Sequence, residues 1–205
     1  MDKQYFLTGI GTGVGKTIAA AALAKYWGAN YWKPIQSGDL DSSDSMLVAE
    51  LAGPGVHIYP EVHRFSVPAS PHYSARLEGV AITLADFQLP QTNGDLIVEG
   101  AGGLLVPINE REFIIDLIAH LGLAVILVCS DYLGSINHSL LSIESLKARG
   151  IPVAYLLLNG EANASTRAIL RENKPVESKI ITLPKLAAIN QQGLEKALEE
   201  LKIEQ

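Results

Sequence analysis

The sequence predicts an α/β fold: one open, mostly parallel β-sheet with helices on both of its faces. Three observations predict it. Short aliphatic or β-branched runs each end in glycine, serine, asparagine or an acid, and segments of helical periodicity alternate with them. A glycine-rich stretch, TGIGTGVGKT at 8–17, joins the first such run to the first such segment. A chain of 205 residues that is 48% hydrophobic can bury a core of its own, so 1–205 is expected to be a single domain.

Taken in order, QYFLTG (4–9) reads as the first buried strand and KTIAAAALAKYW (16–27) as the first helix. YWKPIQSG (31–38) reads as a shorter strand. Pro34 removes a ladder donor there, so that point should lie at a sheet edge or a strand end. A helical pattern follows at 43–52. Residues 54–94 carry prolines at 54, 60, 68, 71 and 90 with weak periodicity, and are expected to form a long excursion over the strand ends. DLIVEGAGG, AVILVCSD, VAYLLLNG and KIITLP supply the remaining strands. Helical patterns at 112–121, 135–148 and 191–202, with a weaker one at 164–172, separate or follow them; the tail after Leu201 is expected to fray.

The net charge of −6 disfavours a sequence-independent hold on nucleic acid or an anionic membrane, so any anion must be bound locally. The longest apolar stretches, such as LAVILVC at 123–129, are too short to span a bilayer as helices. The single cysteine, Cys129, cannot form an internal disulfide, and no leader pattern precedes YFLTG; a cytoplasmic protein is expected.

Strand, glycine-rich turn, Gly15-Lys16-Thr17 and helix stand in the order a phosphate cradle needs. Main-chain N–H groups converge on a ligand only where Cβ atoms are absent, and a helix N-terminus adds partial positive charge. Gly11, Thr12, Gly13, Val14, Gly15, Lys16 and Thr17 would then hold a triphosphate, with Lys16 on the β and γ phosphates and the Thr17 hydroxyl on magnesium. The usual spacing asks for glycine where Ile10 stands, so the loop is a variant. A dinucleotide turn fails on register, because Val14 or Lys16 falls where its third glycine belongs. The plainer alternative is a tight helix-opening turn with an exposed lysine.

A nucleotide site also needs acids for its metal. Glu99 closes the apolar run DLIVE ahead of GAGG, where it either faces the crevice at the strand ends or caps the next segment. Asp44 is a second candidate, with Asp39 and Asp41 as rivals and a helix N-cap as its ordinary use. Lys33, flanked by Trp32 and Pro34 and followed by Ser37 and Gly38, is either a surface lysine or a second cation facing a transferring phosphoryl group. Cys129, inside AVILVCS, reads as core, and the five histidines form no metal-spaced pairs with it, so no zinc site is expected.

YFLTGIGTGVGKT together with KPIQSG, the SPH of VPASPH, VEGAGGLLVPI, LGSINH (133–138) and LLLNG with a later Leu-Pro pair resembles the dethiobiotin synthetase family over nearly the whole chain. The resemblance implies a P-loop NTPase-like homodimer that converts 7,8-diaminononanoate, carbon dioxide and MgATP into dethiobiotin, ADP and phosphate. It implies that Lys16 and Thr17 hold phosphates and magnesium, and that Glu99 and Asp44 complete the metal shell. Thr12, Lys33 and Ser37 would surround the diamine and the reacting phosphoryl group, and Asn159 and Pro184 would contact adenine. Leu133, Gly134 and Asn137, opening a helix, would cradle the substrate carboxylate across the dimer; capping and helix-surface packing are the ordinary uses of such residues. Two departures stand out. Gly11 and Gly13 occupy positions where many members carry acids, and the stretch from Asp39 to Asp44 is shortened, which leaves Asp41 a rival to Asp44. A partitioning-type ATPase switch is a competing reading, but Gly11 stands where its early loop lysine belongs; a decayed homologue is another, against which Lys33, Ser37 and LGSINH argue.

Overall fold

In the computed structural model, which describes residues 2–205, strand β1 (Gln4–Gly9) lies inside an eight-stranded sheet between β6 (Leu96–Gly103) and β7 (Ala124–Ser130), parallel to both. Beyond β6 come β2 (Asn30–Trp32) and the edge strand β4 (Ile58–Tyr59). Beyond β7 come β8 (Val153–Asn159), β9 (Lys179–Leu183) and β10 (Lys202–Glu204), of which the last alone runs antiparallel. The sheet thus draws on the chain from Gln4 to Glu204. Phe6, Leu7, Ile97, Val98, Ile126 and Leu127 have no solvent-exposed surface, which is why these strands read as continuous apolar runs instead of alternating ones.

Helix α1 (Lys16–Trp27) has alanine on nearly every side because it is enclosed, packing on β6, α2 (Asp44–Ala52) and α7 (Gln191–Glu199). Gly28, at φ 65°, ends it in a left-handed cap. The helices α4 (Ile114–Leu121), α5 (Ser135–Ala148) and α6 (Ala164–Asn173) fall where periodicity places them, although α4 starts two residues late, because the Asp116 carboxylate accepts from the Phe113 N–H and fixes the start there.

Three expectations are corrected. YWKPIQSG forms two strands: Pro34 ends β2, which is interior to the sheet, and β3 (Ile35–Ser37) leaves to pair with β5 (His63–Phe65) in a separate two-stranded sheet. Residues 54–94 are not all irregular; they supply β4, β5, the short helix α3 (Pro71–Leu77) and a 3₁₀ turn at Leu84–Asp86. The tail does not fray. Helix α7 stops at Glu199, and β10 pairs with β9 while Arg167 and Arg171 both bind Glu204.

The chain leaves β1 toward β2 on one side and reaches β7 on the other. The carboxyl ends of β1, β2 and β6 therefore border one crevice, the usual ligand site of such sheets. Among the described residues no helix is long and apolar enough to cross a membrane.

Candidate active site

Gly15, at φ 84°, turns the loop after β1 into α1, and no side chain caps that helix, so its first N–H groups are left for an outside acceptor. A Cβ on Gly15 would stand 2.0 Å from Asn159 Nδ2, which itself donates to the Val14 carbonyl at 3.0 Å. We expect Gly15→Ala to lower the melting temperature and to abolish measurable triphosphate binding, since the left-handed backbone alone costs about 1–2 kcal/mol and the Asn159 latch must also move; calorimetry and a thermal melt check both. A Cβ on Gly103 would stand 3.3 Å from the Gly9 carbonyl, so the backbones of β6 and β1 approach closely there. At Gly11 and Gly13 a Cβ would meet nothing within 4 Å, so no steric wall explains the missing acids, although Gly13 has φ 74°.

Lys16 is not an exposed lysine. It is 8% exposed and its Nζ donates to the Gly11 carbonyl at 3.0 Å. Burial pulls its pKa below the ordinary lysine value, with the nearby acids opposing and Lys33 adding to the fall.

Glu99, on β6 and 1% exposed, is no cap. Its Oε1 accepts from the Thr17 hydroxyl and from Lys33 Nζ, each at 3.1 Å, and its Oε2 accepts from the Tyr31 hydroxyl at 2.9 Å. Asp44 opens α2, but the cap is Ser43, whose hydroxyl accepts from the Met46 N–H. Freed from that duty, Asp44 accepts from the Thr17 hydroxyl at 2.7 Å and pairs with Lys33. Asp39 and Asp41 are exposed, so Asp44 is the acid of its segment that meets Thr17. Lys33 is buried at 4% exposure between the two carboxylates. Burial works against its charge, yet Glu99 and Asp44 outweigh it and raise the pKa; likewise burial raises Asp44, but Lys33 and Thr17 more than reverse it and hold the carboxyl below its usual range. Tyr31, fully buried and then opposed by Glu99 and Asp44, is pushed well above the usual phenol value.

A hydroxyl has one proton, so Thr17 can satisfy only one of two carboxylates that approach it. The three oxygens suit a hard divalent cation, with Thr17, Asp44 and Glu99 as donors.

A cavity of about 700 Å³ opens over this cluster, lined by Thr12, Gly15, Lys16, Thr17, Lys33, Ser37, Asp44 and Glu99, and on its far side by Pro68, Ala69, Ser70 and Pro71 from the proline-rich excursion. Sequence reading missed Tyr31, although it lies two residues before Lys33 on one strand path and period two would have found it. Asn159 and Pro184, at the tips of β8 and β9, lie outside this lining, and so do Leu133, Gly134 and Asn137, all three exposed at the start of α5. Gly134 is the N-cap of α5, which excludes that use for Asn137. Cys129 is buried, and burial pushes its thiol up to about 11, which suits a core residue.

A family model described as an AAA domain matches residues 3–193. The ATP-dependent dethiobiotin synthetase BioD of Christiangramia forsetii is 46% identical over 173 residues, 84% of this chain and 83% of that protein. The protein of the same name from Brucella ovis is 46% identical over 171 residues, 83% of this chain and 81% of that one. The chain belongs to the dethiobiotin synthetase family. Among solved structures, a ParA family ATPase from Chlorobium tepidum TLS aligns with a TM-score of 0.50 at 15% identity over 98% of this chain and 90% of that one. Chloroplast FtsY from Physcomitrella patens gives 0.50 at 14% identity over 97% and 65%. At these identities the likeness is one of fold, and it places this dethiobiotin synthetase family member among P-loop architectures.

Proposed function

We propose that this chain catalyses ATP-driven carboxylation and ring closure of 7,8-diaminononanoate with carbon dioxide, giving dethiobiotin, ADP and phosphate. The observation that carries the reading is the meeting of Thr17, Asp44, Glu99 and Lys33 on one cavity beside an uncapped glycine-rich loop. Magnesium, held by Thr17, Asp44 and Glu99, would supply charge to the phosphates. The loop N–H groups from Gly11 to Thr17, with Lys16, grip the triphosphate, and Asn159 and Pro184 border the adenine.

One substrate amine captures carbon dioxide as a carbamate. The carbamate oxygen attacks the γ-phosphoryl group, ADP leaves, and the second amine closes the ring with loss of phosphate. No protein nucleophile is required, so the residues act by position and charge. Lys33 faces the charge that accumulates on the transferring group, and Thr12 and Ser37 border the diamine. The Ser37 hydroxyl is buried without a partner in the protein. The substrate carboxylate sits at the start of α5 of a second copy, on Leu133, Gly134 and Asn137. Support comes from the uncapped N-terminus of α5 and from the exposed Tyr132, Leu133 and Leu141 around it.

The test is phosphate release from ATP by purified protein with the diamine and bicarbonate supplied together or singly. Release that needs both is expected; release indifferent to the diamine would favour an ATP switch and overturn the reading. Sedimentation of the fully active protein as a monomer would remove the shared carboxylate site.

A further inference from the structure

The Ser70-Pro71-His72 segment has no part in the chemistry above, yet its first two residues line the cavity. Ser70 is the N-cap of α3, where a serine hydroxyl ordinarily accepts from a first-turn N–H. Here it makes no such bond. The His72 N–H donates to the Pro107 carbonyl at 3.2 Å, the Tyr73 N–H donates to the Ser70 carbonyl at 3.0 Å, and the Ser70 Oγ lies 2.9 Å from His72 Nδ1. Ser70 thus lines the cavity with its hydroxyl held not by a helix N–H but by an imidazole nitrogen of a residue outside the lining.

The proposed reaction has protons to dispose of: N–C bond formation with carbon dioxide breaks one N–H bond, and ring closure breaks another. The buried ionisable groups of the cavity are already engaged. Lys16 is bonded to Gly11, Lys33 sits between carboxylates, and Asp44 and Glu99 accept from Thr17, Lys33 and Tyr31. Asp39 is exposed.

We propose that Ser70 and His72 form the proton-accepting pair for the diamine, an inference that rests on the diamine reading. As the amine nitrogen bonds to the carbon of carbon dioxide, one C–O π pair moves onto oxygen to give the carbamate. The N–H proton passes to Ser70 Oγ while the Ser70 proton passes to His72 Nδ1. The imidazolium, part-exposed on α3, then returns its proton to water. Ser70 touches substrate, and His72 acts through it.

Steady-state kinetics with the diamine, ATP calorimetry and thermal melts test the pair. Ser70→Ala is expected to lower kcat about a hundredfold, the lower range for loss of general base catalysis, with ATP affinity unchanged, and Ser70→Thr to recover most of it. His72→Asn keeps an amide at the position of Nδ1 but cannot take a proton, so its kcat should fall as far as that of Ser70→Ala. His72→Ala should regain turnover with added imidazole. Wild-type kcat in folded His72→Asn or Ser70→Ala overturns the pair, and if Ser70→Ala does not fold, His72→Asn decides alone. Wild-type protein that releases no diamine-dependent phosphate refutes the underlying enzyme reading instead, and is measured first.

Discussion

Lys33→Ala is expected to lower kcat about 10²–10³-fold while leaving ATP affinity within about threefold, because in the proposed reaction its ammonium would act on the charge that grows in the transition state and not on the bound triphosphate. The same change has a second signature. Without the ammonium, Glu99 and Asp44 face one another with no cation between them, and breaking a buried pair of this kind costs about 3–5 kcal/mol. In EDTA the variant should therefore melt roughly 10 °C lower, and magnesium should recover much of the loss by taking the vacated charge. The pH dependence has a definite sign. Asp44 is held below its ordinary value, so its contribution in the parent protein is complete at neutral pH and is lost only as the pH falls through that depressed value. Lys33 is held above its ordinary value, so its contribution is lost only as the pH rises past the usual lysine range. In the variant the unpaired carboxyls take up protons more readily, so the stability gap between variant and parent should narrow on acidification. A kcat equal to that of the parent would remove Lys33 from catalysis, and a gap that widens in acid would contradict the charge pairing.

Lys16→Ala should show the opposite division. Its ammonium is buried against a single carbonyl, and burial is the main influence that lowers its pKa; an arriving polyphosphate gives that charge the partner it lacks. Affinity for MgATP is expected to fall at least about a hundredfold by calorimetry, with a small change in melting temperature because only the Gly11 carbonyl loses its donor. Unaltered affinity would mean that the loop does not hold the phosphates.

Much of this was legible in the chain. The strands carry continuous aliphatic runs because both faces of a parallel sheet are covered, and the loop announces itself because glycine, lysine and threonine must fall at fixed distances from a strand and a helix. Glu99 was legible because a carboxylate at the close of a buried apolar run has few places to point, although β6 carries on past it to Gly103. What stayed hidden depended on distant parts of the chain. Whether Asp44 caps its helix or faces Thr17 turned on Ser43 taking the cap. The wall at Pro68–Pro71 comes from a segment whose strands are two or three residues long, too short for periodicity to register. The tail resisted reading because β10 is held by Arg167 and Arg171, more than thirty residues away.

The Asn159 amide, bonded to the Val14 carbonyl, ties the tip of one strand to the bend that opens the first helix, across 145 positions of sequence. A substitute at that site that is not compact and N–H-bearing would lose this tie, and under the proposed reading the loop would then hold its anion less firmly.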